Sequence, residues 1–353
     1  MLITPQDAQV LPALDRAKWT FTTRRVPKVA ATAVLPSVAE ARPGDLVLAE
    51  VAKIGNHRRV QLSDGRHSAL YPGDRLILAC ADRFAPDQFS GTARLSAEGS
   101  DLLAGGGVIG TLTDKHGKSS APTRLVPLGL LGGPEGRPLN LAEFALPAEA
   151  TARPKHSFLV VGTGMNAGKT SAAAGVINGF VRLGLRPAAV KLTGTGAFGD
   201  LQAYEAAGAA RVLDFTDAGM ASTHRQPLPR LLQAADTLLD AAALADLSVV
   251  ELADGIAQGE TAELLQSPGF AAPFDGVLLA ASDPLAAQAA LALLARWGIA
   301  PLALTGRLTA SPSDAREAGE ATGLPVFSRE DLCDPAAATA LISMAEEQGL
   351  RAA

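Results

Sequence analysis

Short apolar runs recur through the second half of the chain, each bounded by glycine, proline or a charged residue. They are Phe158-Leu159-Val160-Val161, Ala188-Ala189-Val190, Leu247-Ser248-Val249-Val250, Gly276-Val277-Leu278-Leu279-Ala280-Ala281 and Pro301-Leu302-Ala303-Leu304-Thr305. Alanine- and leucine-rich stretches of helical composition lie between them, including Ala172 to Phe180, Leu201 to Ala210 and Leu231 to Ala245. Short buried strands alternating with helices predict an α/β domain with a doubly wound, mostly parallel sheet. Ligands of such sheets bind at the carboxyl ends of the strands, so the polar residues there are the ones to weigh.

The first half has a different texture. Leu46-Val47-Leu48-Ala49-Glu50-Val51, Val60-Gln61-Leu62 and Leu76-Ile77-Leu78-Ala79 are β-like and are separated by the turn signals Ser63-Asp64-Gly65 and Pro72-Gly73-Asp74. This predicts a smaller mainly-β domain, barrel-like or sandwich-like, over residues 1–150, ahead of the α/β domain over 151–353. Such a module serves as an accessory domain for substrate or partner. Gly129 to Pro154, rich in Gly, Pro and Ala, reads as a linker between the two. Residues 1–40, with the basic patch Arg24-Arg25-Val26-Pro27-Lys28, carry no deciding pattern. Arg83 to Phe89 is either a recognition loop or a solvated loop anchored by Phe84 and Phe89. Gly105-Gly106-Gly107-Val108 has no Gly-Lys behind it and reads as a turn before a strand. His57, His67 and His116 show no ligand spacing and read as surface or turn residues.

At 353 residues the chain has room for two domains, on a prior of roughly 100–200 residues each. Residues 1–150 carry a formal charge of +2 and the remainder −7, a balance that does not suit a nucleic-acid binder. No apolar run reaches the roughly 18 uncharged residues of a membrane span, and Met1 to Asp7 lacks a basic, then apolar, leader. Cys80 and Cys333 have neither disulfide nor metal spacing, which fits a reducing cytoplasm. The expectation is a cytoplasmic protein with no membrane segment.

The strongest chemical signal is Gly162-Thr163-Gly164-Met165-Asn166-Ala167-Gly168-Lys169-Thr170-Ser171, which follows one predicted strand and opens a predicted helix. Backbone N–H groups of such a loop, with the positive end of the helix dipole, form an anion site. Lys169 is placed to reach the β/γ-phosphates and the Thr170 hydroxyl to ligate Mg²⁺. Thr163 stands where the G-x-x-x-x-G-K-[ST] pattern has its first glycine, with glycines at 162 and 164. A metal beside Thr170 needs carboxylates, and Glu251 and Asp200 are the candidates, with Asp214 and Asp217 competing for the place of Asp200. Lys191 is the second cation, and Asp254 is either a site residue or a turn residue before Gly255.

These segments resemble those of the dethiobiotin synthetase-like P-loop NTPase superfamily. The loop is similar to the G-T-D-T-x-x-G-K-T of dethiobiotin synthetase, Lys191-Leu192-Thr193-Gly194-Thr195 to its K-P-V-x-x-G, and Val249-Val250-Glu251-Leu252-Ala253-Asp254-Gly255 to its V-E-G-A-G-G, in the same order over roughly residues 155–335. The resemblance implies a homodimeric nucleotide-binding fold that uses ATP and Mg²⁺. In it Lys169 and Lys191 contact phosphates and substrate carboxyl oxygens, while Thr170, Asp200 and Glu251 hold the metal. The chain departs from the family at Gly164-Met165, at Leu252-Ala253-Asp254 and at Leu304-Thr305-Gly306-Arg307, which lacks the asparagine near the adenine. The scaffold is therefore expected and biotin synthesis is not.

The expected activity is Mg²⁺- and ATP-dependent phosphorylation, or activation for ligation, of a small acceptor bearing a carboxyl, carbamate or amine, with Lys169, Lys191 and Glu251 as catalytic residues. His224 or Arg225, and Gln258 or Glu260, are candidates to bind it. The alternative is a nucleotide-hydrolysing switch whose N-terminal β domain holds a protein partner.

Overall fold

The computed structural model describes residues 14, 16–147 and 153–352. The stretch Met1 to Asp7, read above as carrying no basic and then apolar leader, lies outside the described residues. Two compact units are present. One comprises Met1–Leu146 with Thr195–Phe198 and Phe215–His224, and the other comprises Pro147–Gly194, Gly199–Asp214 and Arg225–Ala353. Two short segments that follow strands of the α/β region thus belong to the β unit.

The β unit contains β1 (Lys18–Trp19), β2 (Ala33–Leu35), β3 (Leu46–Lys53), β4 (Arg59–Gln61), β5 (His67–Ala69), β6 (Arg75–Cys80), β7 (Phe89–Thr92), β8 (Ser100–Ala104), β9 (Val108–Lys115) and β10 (Thr123–Gly132). Strand β6 pairs with β3, β3 with β10, β10 with β8, β8 with β9, and β9 returns to β6, so five strands close on themselves. The closing contact is parallel, Ala79 opposite Val108 and Cys80 opposite Ile109. The unit is therefore a barrel. Closure removes the free edges that a small sheet otherwise exposes. Both faces of β3 are buried: Val47, Ala49 and Val51 join one apolar cluster, Leu46 and Leu48 another. That is why its sequence reads as a continuous apolar run rather than an alternation.

Two readings of this half need correction. Much of Gly129 to Pro154 is not linker. Strand β10 continues to Gly132, Gly132 bridges Pro138, and a turn of helix at Leu141–Phe144 is closed by a capping box in which Ala142 donates to the Asn140 side chain and Asn140 to Glu143. His57 is not a surface residue. Its ring packs against Phe89 with centroids 5.4 Å apart, and among the described residues its Nδ1 is buried without a hydrogen-bond partner. Burial, then the charge of Arg83, lowers its pKa to about 4, while hydrogen bonding at Leu102 and Gln88 acts the other way. In the Arg83 to Phe89 stretch, Phe89 is fully buried and Arg83 donates to the Leu103 carbonyl and to Gln88.

The α/β unit contains β11 (His156–Gly162), α1 (Lys169–Arg182), β12 (Pro187–Lys191), α2 (Phe198–Ala206), β13 (Arg211–Asp214), α3 (Leu228–Ala241), β14 (Leu247–Glu251), α4 (Gly259–Gln266), β15 (Gly276–Ala280), α5 (Pro284–Arg296), β16 (Ala303–Thr305), α6 (Pro312–Thr322), α7 (Arg329–Leu332) and α8 (Pro335–Ala352). Its six strands are ordered β13-β12-β14-β11-β15-β16 and every pairing is parallel, so the doubly wound α/β expectation holds. Strand β13 carries little pattern of its own, Arg211-Val212-Leu213-Asp214, and the sequence reading passes over it. The core gathers Phe158, Val160, Val249 and Leu278 from the strands with Ala173, Val176, Ile177 and Phe180 from α1. These side chains fix α1, and hence the loop before it, on the sheet.

Candidate functional site

The loop between β11 and α1 is held by backbone contacts at both ends. Thr163 donates to the Ala280 carbonyl (3.0 Å), Ile256 to Gly162 (2.9 Å) and Arg307 to Ala167 (2.9 Å). Gly168, the residue before α1, has φ of 102°, and a Cβ there would lie 2.9 Å from the Gly306 Cα. Only glycine meets both demands. A Cβ on Gly162 would lie 2.8 Å from Lys169 Cγ. The room that the lysine stem requires is therefore supplied at 162, which explains why Thr163 is accepted where the pattern has glycine. The Thr163 hydroxyl accepts from Ser282 N–H at 3.3 Å. Asn166 turns the loop at φ of 64°, a conformation that asparagine tolerates.

Lys169 is buried and donates to the Gly164 carbonyl at 2.9 Å, which places its ammonium within its own loop. Burial lowers its pKa. Glu251 and Asp254 counter that effect, and Lys191 adds to it. An ammonium so poorly solvated gains by meeting an anion.

Parallel register aligns the strand ends beside the loop. Glu251 stands opposite Lys191 on β12 and opposite Val160 on β11. Thr170, in the first turn of α1, donates its hydroxyl toward Glu251 Oε1 at 3.2 Å and Asp200 Oδ1 at 3.3 Å. Lys191 forms an ion pair with Asp200, and Tyr204 donates to Glu251 Oε2. Burial and the neighbouring Glu251 carboxylate push the Tyr204 pKa well up, so the phenol remains a donor. The structure thus brings together Lys169, Thr170, Lys191, Asp200 and Glu251, from four separate stretches of sequence. Ser171 is exposed on α1 and takes no part in this cluster. Sequence reasoning missed Tyr204, which carried no motif; its one signal is that the chain has two tyrosines in all.

The competitors for the place of Asp200 make other contacts. Asp217 lies in the β unit, paired with Arg24 at 2.6 Å and Arg25 at 3.7 Å. Asp214 is fully buried at the end of β13, opposite Lys191.

Thr170, Asp200 and Glu251 present hard oxygen donors. One hydroxyl proton serves two carboxylates, so these three oxygens are the ones that could hold a small divalent cation. Among the described residues no group of three or more His, Cys, Asp and Glu could enclose a metal. A cation held by two carboxylates and a hydroxyl keeps positions for water and phosphate, the habit of Mg²⁺ rather than of ions that take all-protein cages.

Among the residues expected to receive an acceptor, Gln258 and Glu260 accept hydrogen bonds from loop backbone. Gln258 Oε1 accepts from Gly255 N–H at 2.7 Å, and Glu260 accepts from Arg225 N–H at 2.7 Å. Arg225 itself has φ of 61°, and His224 packs on Phe84 with centroids 5.6 Å apart.

No protein-family model matches the chain, and no curated protein does. Among solved structures, chloroplast FtsY from Physcomitrella patens is similar at 18% identity and a TM-score of 0.37 over 58% of this chain and 70% of that one. FtsY from Mycoplasma mycoides is similar at 17% identity and a TM-score of 0.32 over 52% of this chain and 65% of that one. Likeness at this level decides nothing about activity. Among the described residues no helix is long and apolar enough to cross a membrane.

Proposed function

We propose that this chain binds a nucleoside triphosphate, ATP in the first instance, on the 162–171 loop and hydrolyses it, and that the β unit reads the nucleotide state. The observation that carries this is the convergence of Lys169, Thr170, Lys191, Asp200 and Glu251 at the strand ends beside the loop. In this reading Lys169 and the loop N–H groups bind the β- and γ-phosphates, and Lys191 offsets charge that develops on the transferred group. Thr170, Asp200 and Glu251 would hold Mg²⁺, which would supply charge neutralisation to the phosphates. Tyr204 fixes the carboxylate of Glu251 by donating to the oxygen that does not face Thr170. Phosphoryl transfer asks of a protein mainly position and charge, and this set supplies both.

The switch reading is preferred because Thr195–Phe198 and Phe215–His224 belong to the β unit. The first starts four residues after Lys191 and the second directly after Asp214. A change in what Lys191 holds reaches the β unit through Leu192, Thr193 and Gly194. The occupation of Gln258, Glu260 and His224 by loop contacts supports water rather than a small acceptor as the phosphoryl receiver.

Phosphate release from Mg²⁺-ATP and Mg²⁺-GTP, with and without a pool of small cellular metabolites, tests this. Release that depends on Lys169 and is indifferent to the pool is expected. Release that appears only with the pool overturns hydrolysis in favour of a small-molecule kinase or ligase.

A further inference from the structure

The α/β unit contains a cavity at the end of its sheet that faces away from the phosphate loop. It measures about 500 Å³ and lies between the end of α4, the turn over residues 267–275, residues 297–300 and the last turns of α8. Strand β15 separates it from the loop. Gly276 at the start of the strand lines the cavity, and Ala280 at its end accepts from Thr163 N–H at 3.0 Å. At about 3.3 Å per residue the two ends of this strand are about 13 Å apart, so the cavity is not the place of a phosphoryl acceptor.

The walls are held in place. Phe270, Ala272 and Phe274 each donate their N–H three residues back, to Ser267 (3.1 Å), Gly269 (3.3 Å) and Ala271 (3.1 Å), and the Phe270 and Phe274 rings lie 5.7 Å apart. Gln348 Nε2 donates to the Ala300 carbonyl at 3.0 Å, which ties α8 to the 297–300 stretch. Phe274 and Ile299 are buried and Trp297 is half-buried, and together they give the cavity an apolar wall. Among the described residues that line it, Asp275 alone is charged. That carboxylate is fixed by a reciprocal pair: Asp275 N–H donates to the Ser157 carbonyl at 2.8 Å, and Ser157 N–H donates back to Asp275 Oδ2 at 2.7 Å. His156 Nδ1 lies 3.8 Å from the same oxygen. Asp275 is exposed, and its Oδ1 accepts no hydrogen bond among the described residues.

We propose that this cavity binds a small protonated amine, whose ammonium donates to Asp275 Oδ1 and whose ring or short aliphatic body lies against Phe274, Trp297 and Ile299. A carboxylate already fixed by its neighbours meets an ammonium with little further ordering, and a charge-assisted hydrogen bond is stronger than a neutral one. Aromatic walls also favour a cation. A neutral molecule of the same shape forgoes the charge-assisted bond, and an anion is repelled by the single charge of the lining. The site does not rest on the nucleotide reading, and its failure leaves that reading standing.

Trp297 fluorescence in a Trp19→Phe background follows the cavity directly. Benzylamine, phenethylamine and cyclohexylamine are each titrated beside the alcohol and the carboxylate of matching shape, at constant ionic strength. At least one amine should give a saturable change, with an affinity at least about tenfold above those of its alcohol and its carboxylate. Asp275→Asn keeps an oxygen for the Ser157 N–H and should bring that amine down to the affinity of its alcohol. Should this variant melt below the parent, the ratio of amine to alcohol affinity in the parent decides by itself. Amines that bind no tighter than their alcohols, a carboxylate that binds best, no saturation by any amine, or a preference that survives in a stably folded Asp275→Asn overturns the assignment.

Discussion

His57 shows how far a single residue departs from its sequence reading. Nothing near it in the sequence announces burial, yet the ring sits on Phe89 beside Arg83, neutral at pH 7. The unfolded chain protonates it near 6.5 and the folded chain near 4, so between these values the unfolded state holds more protons. Stability of the β unit therefore falls as pH drops through this window, by up to about 3 kcal/mol. Urea titrations followed through Trp19 in a Trp297→Phe background check this, since the two tryptophans then no longer mix. The midpoint should fall from pH 7 to pH 4.5, and His57→Leu should flatten the dependence. An unchanged slope in His57→Leu contradicts the assignment. Lys169 and Thr170 were legible from the glycine-containing loop that opens α1, and Lys191 and Glu251 because each closes a strand that the apolar pattern marks. Asp200 was preferred to Asp214 and Asp217 without a motif to decide between them, and it is packing that places it beside Thr170. Tyr204 was illegible because its role depends on a partner 47 residues away.

At the scale of elements, the strands that the apolar runs mark are present and all pair in parallel, as βαβ units require. Strand β13 was not visible, since a pair of apolar residues between Arg211 and Asp214 carries no period. The barrel closure was not visible either. It depends on a two-residue parallel contact between β6 and β9, which sequence spacing does not encode. The junction of loop and helix at Gly168 was fully legible and is the most sensitive point of the site. Gly168→Ala forces a side chain into φ of 102° and against Gly306. A loss of about 1–2 kcal/mol in stability is expected from the backbone conformation alone. Thermal melting and nucleotide titration should both report the loss, and a variant with the parent's melting point and affinity contradicts this geometry.

For the whole molecule, the division into units does not follow one cut in the sequence. Phe215–His224 belongs to the β unit and is fastened there by Arg24, which lies over the Phe21 ring at 4.3 Å, pairs with Asp217 and donates to Thr216. Phe198 is held in the same unit by Gln61, whose side-chain oxygen accepts its N–H at 2.8 Å, and by His67, with ring centroids 4.8 Å apart. These segments were illegible because they are short, carry no period, and are defined only by what they pack on. If they transmit nucleotide state, amide exchange over residues 195–198 and 215–224 should slow on binding a slowly hydrolysed triphosphate analogue. Arg24→Ala should speed exchange over 215–224 in the free protein and weaken the response. Exchange there that ignores the nucleotide contradicts the switch reading and leaves hydrolysis untouched.

The proposed function depends on the 162–171 loop taking a triphosphate with Mg²⁺. The most direct measurement is therefore calorimetric titration of a slowly hydrolysed ATP or GTP analogue into the full chain, with Mg²⁺, with chelator, and into Lys169→Ala. The account predicts saturable one-site binding that weakens at least about tenfold on removal of either the metal or the Lys169 ammonium, the scale of one lost charge-assisted contact. Absence of binding, or binding indifferent to both, would contradict it.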